Sequence, residues 1–271
     1  MEPNVLPMRR GVRVRATHPS GLLAFEKPPG LLSHPNKHKD GKLAFLEADY
    51  DQRNECYRWD NGGQLFLVHR LDSPTSGILL GALTVDLAVA VKKVFAAHRV
   101  TKRYYALVAG VPRRPVGFWE DRILKSLRDH RLRVEPVRGA GACGRERTAK
   151  TRFTQVAIGS RNGSTPLALL SLEPLTGRTH QLRVQCALHQ LPIVGDRTYG
   201  NFVFNRKAAA ASGMKRLFLH AADVQLAFDF AGNRHRFSAT APLPNDFQTM
   251  LAKAPLHFPK TFSSRDGQDA R

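Results

Sequence analysis

Cysteine is scarce. The 271 residues hold three, Cys56, Cys143 and Cys186, far apart and with no CxxC pair among them. That excludes a disulfide framework and a zinc knuckle, and the three are read as isolated thiols of a reducing cytoplasm. No apolar stretch approaches the ~20 residues that a helix needs to cross a bilayer. Met1 to Arg10 lacks the apolar core of a signal peptide, so a cytoplasmic protein away from membranes is expected. Acidic residues are also few: 22 against 42 lysines and arginines, a formal charge of +20 at pH 7 and a pI of about 10.7. The imbalance argues against cationic or neutral small-molecule partners. It favours a polyanion, because each phosphate contact releases condensed counterions. Repeats and low-complexity blocks are missing too. With 42% hydrophobic and 24% charged residues the composition is globular, not that of a disordered basic tail.

What is present is a succession of short β-type runs with a few helices. Gly21 to Phe25 reads as a strand stopped by the rigid turn Lys27-Pro28-Pro29-Gly30. Leu65 to Val68, Ile78 to Ala82, Tyr104 to Gly110, Thr151 to Ile158, Leu167 to Glu173, Leu217 to Leu226 and Arg234 to Ala239 read as further strands. Asp86 to His98 is the clearest helix, with Leu87, Val91, Val94 and Phe95 at helical spacing and Thr84 as its cap. A second helix is expected over Thr179 to His189 and a last one after Pro244 and Asn245. Strands outnumber helices without alternating regularly with them. The fold class is therefore α+β, a mixed, mainly antiparallel sheet flanked by helices. Residues 1–20 are read as an extension, 21–257 as one domain and 258–271 as a loose tail.

The charge is uneven. Between Lys92 and Arg152 stand 17 lysines and arginines against five acidic residues, +12 of the +20. Within that stretch Arg138 to Lys150 (RGAGACGRERTAK) reads as a basic glycine-rich loop able to grip a phosphate backbone. Its Gly139, Gly141 and Gly144 spell GxGxxG, but arginines flank them and no helix-forming apolar run follows, so the dinucleotide fingerprint does not apply. Ser76 lies in Thr-Ser-Gly and not in GxSxG, which removes the hydrolase elbow. His34, His38 and His69 lack metal-ligand spacing with a carboxylate, and His180 and His189, nine apart, do not share a helical face.

Two segments remain. His69-Arg70-Leu71-Asp72 ends a strand-like run and precedes a Ser-Pro-Thr-Ser-Gly turn, which puts an acid at a strand end facing a loop. By itself it is also what a structural Arg–Asp pair looks like. Gly177-Arg178-Thr179-His180-Gln181-Leu182-Arg183 is a turn entering a helix, with two arginines that suit an anion or carboxylate clamp.

Together with two other blocks these segments resemble the RluA-type family of pseudouridine synthases over most of the chain. The first block is Phe25 to Pro35 (FEKPPGLLSHP), similar to a KPxG…HP opening. The second is His69 to Gly77 (HRLDSPTSG), and the third is Lys102-Arg103-Tyr104 leading into Tyr105 to Gly110. The fourth is Gly177 to Arg183 (GRTHQLR), followed by Gly195-Asp196 and Tyr199-Gly200, and Leu219-His220-Ala221 resembles a late block. Gln185 departs from the pattern, since many relatives carry histidine there, and an effect on positioning more than on chemistry is expected. Only about twenty residues precede Gly21, so no S4-type module is expected there, and the catalytic domain would hold RNA itself.

The resemblance implies an isomerase acting on uridines in structured RNA, ribosomal or transfer, without metal, redox cofactor or nucleotide, and working as a monomer. It assigns Asp72 as the catalytic carboxylate in a central cleft. A free aspartate (pKa about 3.9) is ionised at neutral pH, burial opposes that form, and a guanidinium restores it. Arg183 is assigned to that role. Tyr104 matches the tyrosine that stacks on the target base. The base must be flipped out of the RNA at a cost of a few kcal/mol, and Arg70 resembles the arginine that fills the vacated space. His69, Lys102, Arg178 and Leu182 complete the implied substrate-binding set, with Lys102 and Arg178 on phosphates, while Lys27 and Pro28 are expected to shape the cleft wall.

Other readings stay open at this point. One is a catalytically silent RNA-binding or ribosome-assembly factor on the same fold, against which the joint presence of Asp72, Tyr104 and Arg183 counts. The others are a nuclease using His69 and His180, and a glycosidase. The last wants paired carboxylates, and no second acid is read beside Asp72.

Overall fold

A computed structural model of the chain describes residues 6–128, 131–136, 145–159, 166–252 and 256–257. The expected tail 258–271 and the glycines of the GxGxxG match lie outside the described residues. In chain order the elements are β1 (Arg13–Thr17), β2 (Leu22–Lys27), β3 (Asp49–Asp51), β4 (Cys56–Trp59), β5 (Gly63–Leu67), β6 (Ser76–Ala82), α1 (Val85–Ala96) and β7 (Val100–Ala109). There follow β8 (Val116–Arg128), β9 (Arg131–Pro136), β10 (Arg145–Gly159), β11 (Leu167–Pro174), α2 (Gln181–Leu188), α3 (Phe202–Ser212), β12 (Leu219–Phe230), β13 (Asn233–Thr240), α4 (Asn245–Ala252) and β14 (Leu256–His257).

All fourteen strands join one sheet whose main path runs β3-β4-β5-β6-β12-β7-β11-β10-β8-β9. Its pairings are antiparallel except where β6 meets β12 in parallel, with Ser76 opposite His220 and Gly77 opposite Ala221. This is the mixed, mainly antiparallel sheet expected. The parallel junction joins the half built from β1–β6 to the half built from β7–β11. It needs close backbone approach: Gly77 has φ +111°, and a Cβ there would lie 2.1 Å from the Ala221 carbonyl oxygen. Only glycine satisfies both demands.

Helix α1 starts at Val85, with the Thr84 hydroxyl accepting from the Leu87 amide at 3.4 Å. It buries Leu87, Ala88, Val91 and Val94 against Ile78, Leu80, Leu226 and Phe228. Helix α2 lays Leu182 and Cys186 on Ala106, Val108 and Leu170. On the other face of the β2–β6 half, Phe25, Phe45, Tyr57 and Leu79 form a further buried cluster. Cys56 and Cys186 are buried and unpaired. Among the described residues no helix is long and apolar enough to cross a membrane.

Some expectations are corrected. Residues 13–17, placed in an extension, form β1 and pair with β2 from Arg13 opposite Glu26 to Thr17 opposite Leu23. Half of the expected loop 138–150 is strand: Arg145 to Lys150 pair with Lys125 to Glu120 on β8. Successive side chains of an extended chain point to opposite faces, so Arg147 lies on one face and Glu146 and Lys150 on the other, and these charges do not prevent the ladder. The helix expected from Thr179 begins at Gln181, because His180 takes φ +53° and turns the chain into it.

Candidate active site

The loop between β5 and β6 presents Asp72 and is held on both sides of it by the first sequence block. Ser33 Oγ donates to the Leu71 carbonyl at 2.9 Å and accepts from the Leu71 amide at 3.0 Å. The Gly30 amide donates to Ser73 O at 2.8 Å, and Ser73 Oγ donates back to Gly30 O at 2.9 Å. Lys27 is fully buried, and its ammonium donates to Pro28 O (3.0 Å), Leu31 O (2.8 Å) and Ser73 O (3.0 Å). Burial pulls its pKa down to about 7, against the opposing charge of Asp72. Lys27 therefore lies beneath the Asp72 loop as a tie between two backbones and does not line the cleft wall.

Arg183, on the first turn of α2, reaches the same loop. Its Nη1 donates to Asp72 Oδ2 at 3.1 Å, while Nε and Nη2 fork onto Asp196 at 2.8 and 2.9 Å. Nη2 also reaches Thr198 Oγ1 at 3.2 Å, and the guanidinium stands 5.1 Å from the Tyr199 ring centroid. Asp196 is 1% exposed and accepts further from the Thr198 and Tyr199 amides at 2.8 and 3.0 Å. Burial alone would raise its pKa, but the hydrogen bonds and charge of Arg183 hold it below the usual carboxylate range. Burial works against the Arg183 cation too, and the two aspartates outweigh it, so the guanidinium stays charged. Asp196 is the acid that the sequence reading missed beside Asp72. Gly195, at φ +76° with a would-be Cβ 1.7 Å from Arg216 O, sets the turn that aims it. Both its oxygens are engaged by donors, so it does not act as a second cleft carboxylate.

Asp72 itself is part-exposed and opens into a cleft of about 1030 Å³ between the two halves of the sheet. Tyr104 lines the same cleft from β7. Burial and, second, the Asp72 charge push its phenol pKa well above the ordinary value, so Tyr104 is neutral at working pH. His180, which sequence spacing left unassigned, places Nε2 3.8 Å from Asp72 Oδ2 and shares a 2.8 Å hydrogen bond with the Tyr199 hydroxyl.

The family model for RNA pseudouridylate synthase matches residues 21–188 of this chain. The chain belongs to the RluA-type RNA pseudouridylate synthases. The protein is thus an RNA pseudouridine synthase, an isomerase. It is 33% identical over 222 residues to the tRNA pseudouridine synthase C of Salmonella typhimurium, covering 78% of each chain. To that of Haemophilus ducreyi it is 30% identical over 244 residues, 89% of this chain and 95% of the relative. Human RNA pseudouridylate synthase domain containing 1 shares the fold at a TM-score of 0.69 and 24% identity, with 95% of this chain and 92% of that one covered.

The remaining expected residues of the synthase fall around one cleft. Arg70 is exposed at its mouth, with Nη1 donating to His34 Nε2 at 2.8 Å, and His34 stacks on Tyr50 at 5.1 Å. His69 lines the cleft but is committed elsewhere: Nε2 accepts from the Leu80 amide at 3.1 Å, and the ring stacks on Phe95 at 5.0 Å. Burial drops its pKa to about 3, so it is a neutral structural ring in the synthase. Leu182 forms part of the floor and of the core below. Lys102 and Arg178 stand on the far wall. Gln185 is fully buried and points away from Asp72. Its Nε2 donates to Asp121 Oδ2 at 2.7 Å and to Ala149 O at 3.2 Å, and its Oε1 accepts from Thr151 Oγ1 at 2.6 Å.

Proposed function

We propose that the synthase converts a uridine of transfer RNA, with Asp72 as the catalytic carboxylate, Arg183 as its fixed partner and Tyr104 as the platform for the flipped base. The observation that carries this is the Asp72–Arg183 contact at 3.1 Å at the bottom of an open cleft. Naming of the relatives as tRNA pseudouridine synthases supports the substrate class. The reaction is balanced within one nucleotide: the C1′–N1 bond breaks, the C1′–C5 bond forms, C5 gives up its proton and N1 gains one. Asp72 has to meet the uridine as a carboxylate, and Arg183, itself locked by Asp196, points one N–H at it. A neutral tyrosine stacks on a base without introducing charge into the low-dielectric cleft. Arg70, exposed at the mouth, suits the role of filling the space left by the flipped base, a step that costs a few kcal/mol. Leu182 packs the floor beneath it, whereas the backbone contact of His69 suits shaping the wall and not binding substrate.

The test is release of tritium from C5-labelled uridine, comparing a set of unmodified transfer RNA transcripts with a large-subunit ribosomal RNA transcript. Release from a transfer RNA only is expected. Release from the ribosomal transcript alone would replace the substrate, and release from neither would remove this reading.

A further inference from the structure

A second polar cluster lies outside the cleft, at the parallel junction of β6 and β12. Its centre is Arg216, which precedes β12, has a side chain 12% exposed and does not line the cleft. Nη2 donates to Ser76 Oγ at 2.6 Å, Nη1 to Asp246 Oδ2 on α4 at 2.9 Å, and Nε to the Leu217 carbonyl at 3.0 Å. The guanidinium carbon sits 5.2 Å from the Phe247 ring centroid and 5.8 Å from that of Phe218. Ser76 is buried and also lies 2.8 Å from Nδ1 of the buried His220. Because its oxygen accepts from the guanidinium, the Ser76 hydroxyl donates to Nδ1. The proton of a neutral imidazole is then on Nε2, facing Ala241 O at 3.4 Å. Burial lowers the His220 pKa to about 4, in keeping with a neutral ring.

Arg216 touches both supports of the Asp72–Arg183 contact. On one side, Ser76 opens β6 four residues after Asp72, and the turn between them closes with the Thr75 amide donating to Asp72 O at 3.0 Å. On the other, the Arg216 carbonyl packs against Gly195, where a Cβ would lie 1.7 Å from it, and the Phe218 amide donates to Val194 O at 2.9 Å. Gly195 precedes Asp196, whose fork holds Arg183. One residue thus fixes by its side chain the strand that follows Asp72, and by its backbone the turn that aims Asp196. We propose that Arg216 is a positioning residue of the synthase, which sets the separation of Asp72 and Arg183 through Ser76 and Gly195. Asp246 holds its fork, and His220 holds the Ser76 hydroxyl. This rests on the reading of Asp72 as the catalytic carboxylate. A guanidinium with all three nitrogens engaged and two rings beside it has one orientation, which suits it to keep two loops in register. A displacement of about 1 Å at the reacting groups costs on the order of a hundredfold in rate.

Full-length wild type, Arg216→Met, Arg216→Lys and Ser76→Ala are compared for tritium release from C5-labelled transfer RNA transcripts. Arg9→Met is the control, since Arg9 holds Ala44 O, Gly41 O and Glu47 and none of the residues above. Arg216→Met and Ser76→Ala should lower kcat about ten- to a hundredfold with KM within about threefold, because neither residue lines the cleft. Arg216→Lys, which keeps the charge without the fork, should recover melting temperature but not kcat. Arg9→Met should lower the melting temperature alone. Wild-type kcat in Arg216→Met, or an equal kcat loss in Arg9→Met, would overturn the positioning role. Full recovery of kcat in Arg216→Lys would overturn the fork and leave only an ion pair with Asp246. Backbone hydrogen exchange of residues 69–79 in the free proteins gives a readout without turnover. Relative to the rest of the chain, it should quicken in Arg216→Met and Ser76→Ala and not in Arg9→Met. Unchanged exchange in the first two would overturn the tie to the Asp72 loop. If exchange behaves as expected while wild type releases no tritium, the reading of Asp72 fails and the tie stands.

Discussion

Arg183 serves two carboxylates at once, and the two are not equivalent. Asp196 is buried and holds the arginine by a fork, whereas Asp72 takes the remaining N–H and faces the cleft. Removing the fork leaves a buried guanidinium with one partner. Asp196→Asn should therefore cost about 3–5 kcal/mol of stability, read by denaturant unfolding, and lower turnover through loss of Arg183 geometry. A variant as stable as wild type would show that the pair is not structural. Lys27 gives a pH prediction. Its folded pKa, about 7, lies below the ordinary value of 10.5. Below pH 7 the lysine is charged in both states and adds no pH dependence. Between about pH 7 and 10 the unfolded chain binds the extra proton, so stability rises with pH. Unfolding free energies of wild type and Lys27→Met should therefore diverge in slope over that window, with the positive slope lost in the variant. Identical slopes would contradict a desolvated Lys27. At this scale the gathering of Asp72, Tyr104 and Arg183 around one cleft was legible in the sequence, through motif blocks tied to a family and not through spacing alone. Asp196 was not, since nothing in one sequence says which acid closes a fork on an arginine.

Helix α2 is the element on which the site depends, since it carries Arg183 on one face and Gln185 on the other. Gln185 has three polar neighbours from β8 and β10. Gln185→Ala would take one hydrogen bond each from the Thr151 hydroxyl, the Asp121 carboxylate and the Ala149 carbonyl, with Thr151 left to Gln181 and Asp121 to His189. A loss of about 2–3 kcal/mol is expected in thermal or denaturant unfolding, with a smaller drop in kcat. A catalytic loss without a stability loss would place Gln185 in the chemistry instead. Element legibility followed the burial of one face. Helix α1, with its Thr84 cap and apolar stripe, was found close to its observed bounds, and so were β6 and β11, whereas β7, β10 and β12 extend beyond the expected spans into residues with more charge. Helix α3 was missed because none of its residues is buried. It forms by propensity, from an alanine run with Asn201 capping the Phe204 amide and Gly213 closing the end. Strands β1 and β9 were missed although RVRAT and RLRVEP alternate polar and apolar residues, because each is short and carries only two aliphatic side chains, and β8 was missed because Glu120, Asp121 and Arg122 interrupt its apolar residues.

Over the whole molecule, a +20 chain lines its cleft with Arg70, Lys102, Arg147 and Arg178, none of them in an ion pair with an acid among the described residues, while on its outer face Lys150 pairs with Glu120 and Arg152 with Glu173. Composition alone pointed to a polyanion, but only the fold shows where the charge is left uncompensated. The sheet brings segments from residue 27 to residue 196 to one point, across a parallel junction that no local pattern in the sequence announces. That convergence has one chemical consequence open to measurement. Wild type and Asp72→Ala are compared for tritium release from C5-labelled transfer RNA transcripts and, in parallel, for affinity to the same RNA. Release by wild type, none by the variant, and binding within about threefold of each other are the expected results, since Asp72 is one part-exposed carboxylate in a cleft lined by cations. Tritium release by Asp72→Ala at the wild-type rate would contradict the assignment of Asp72.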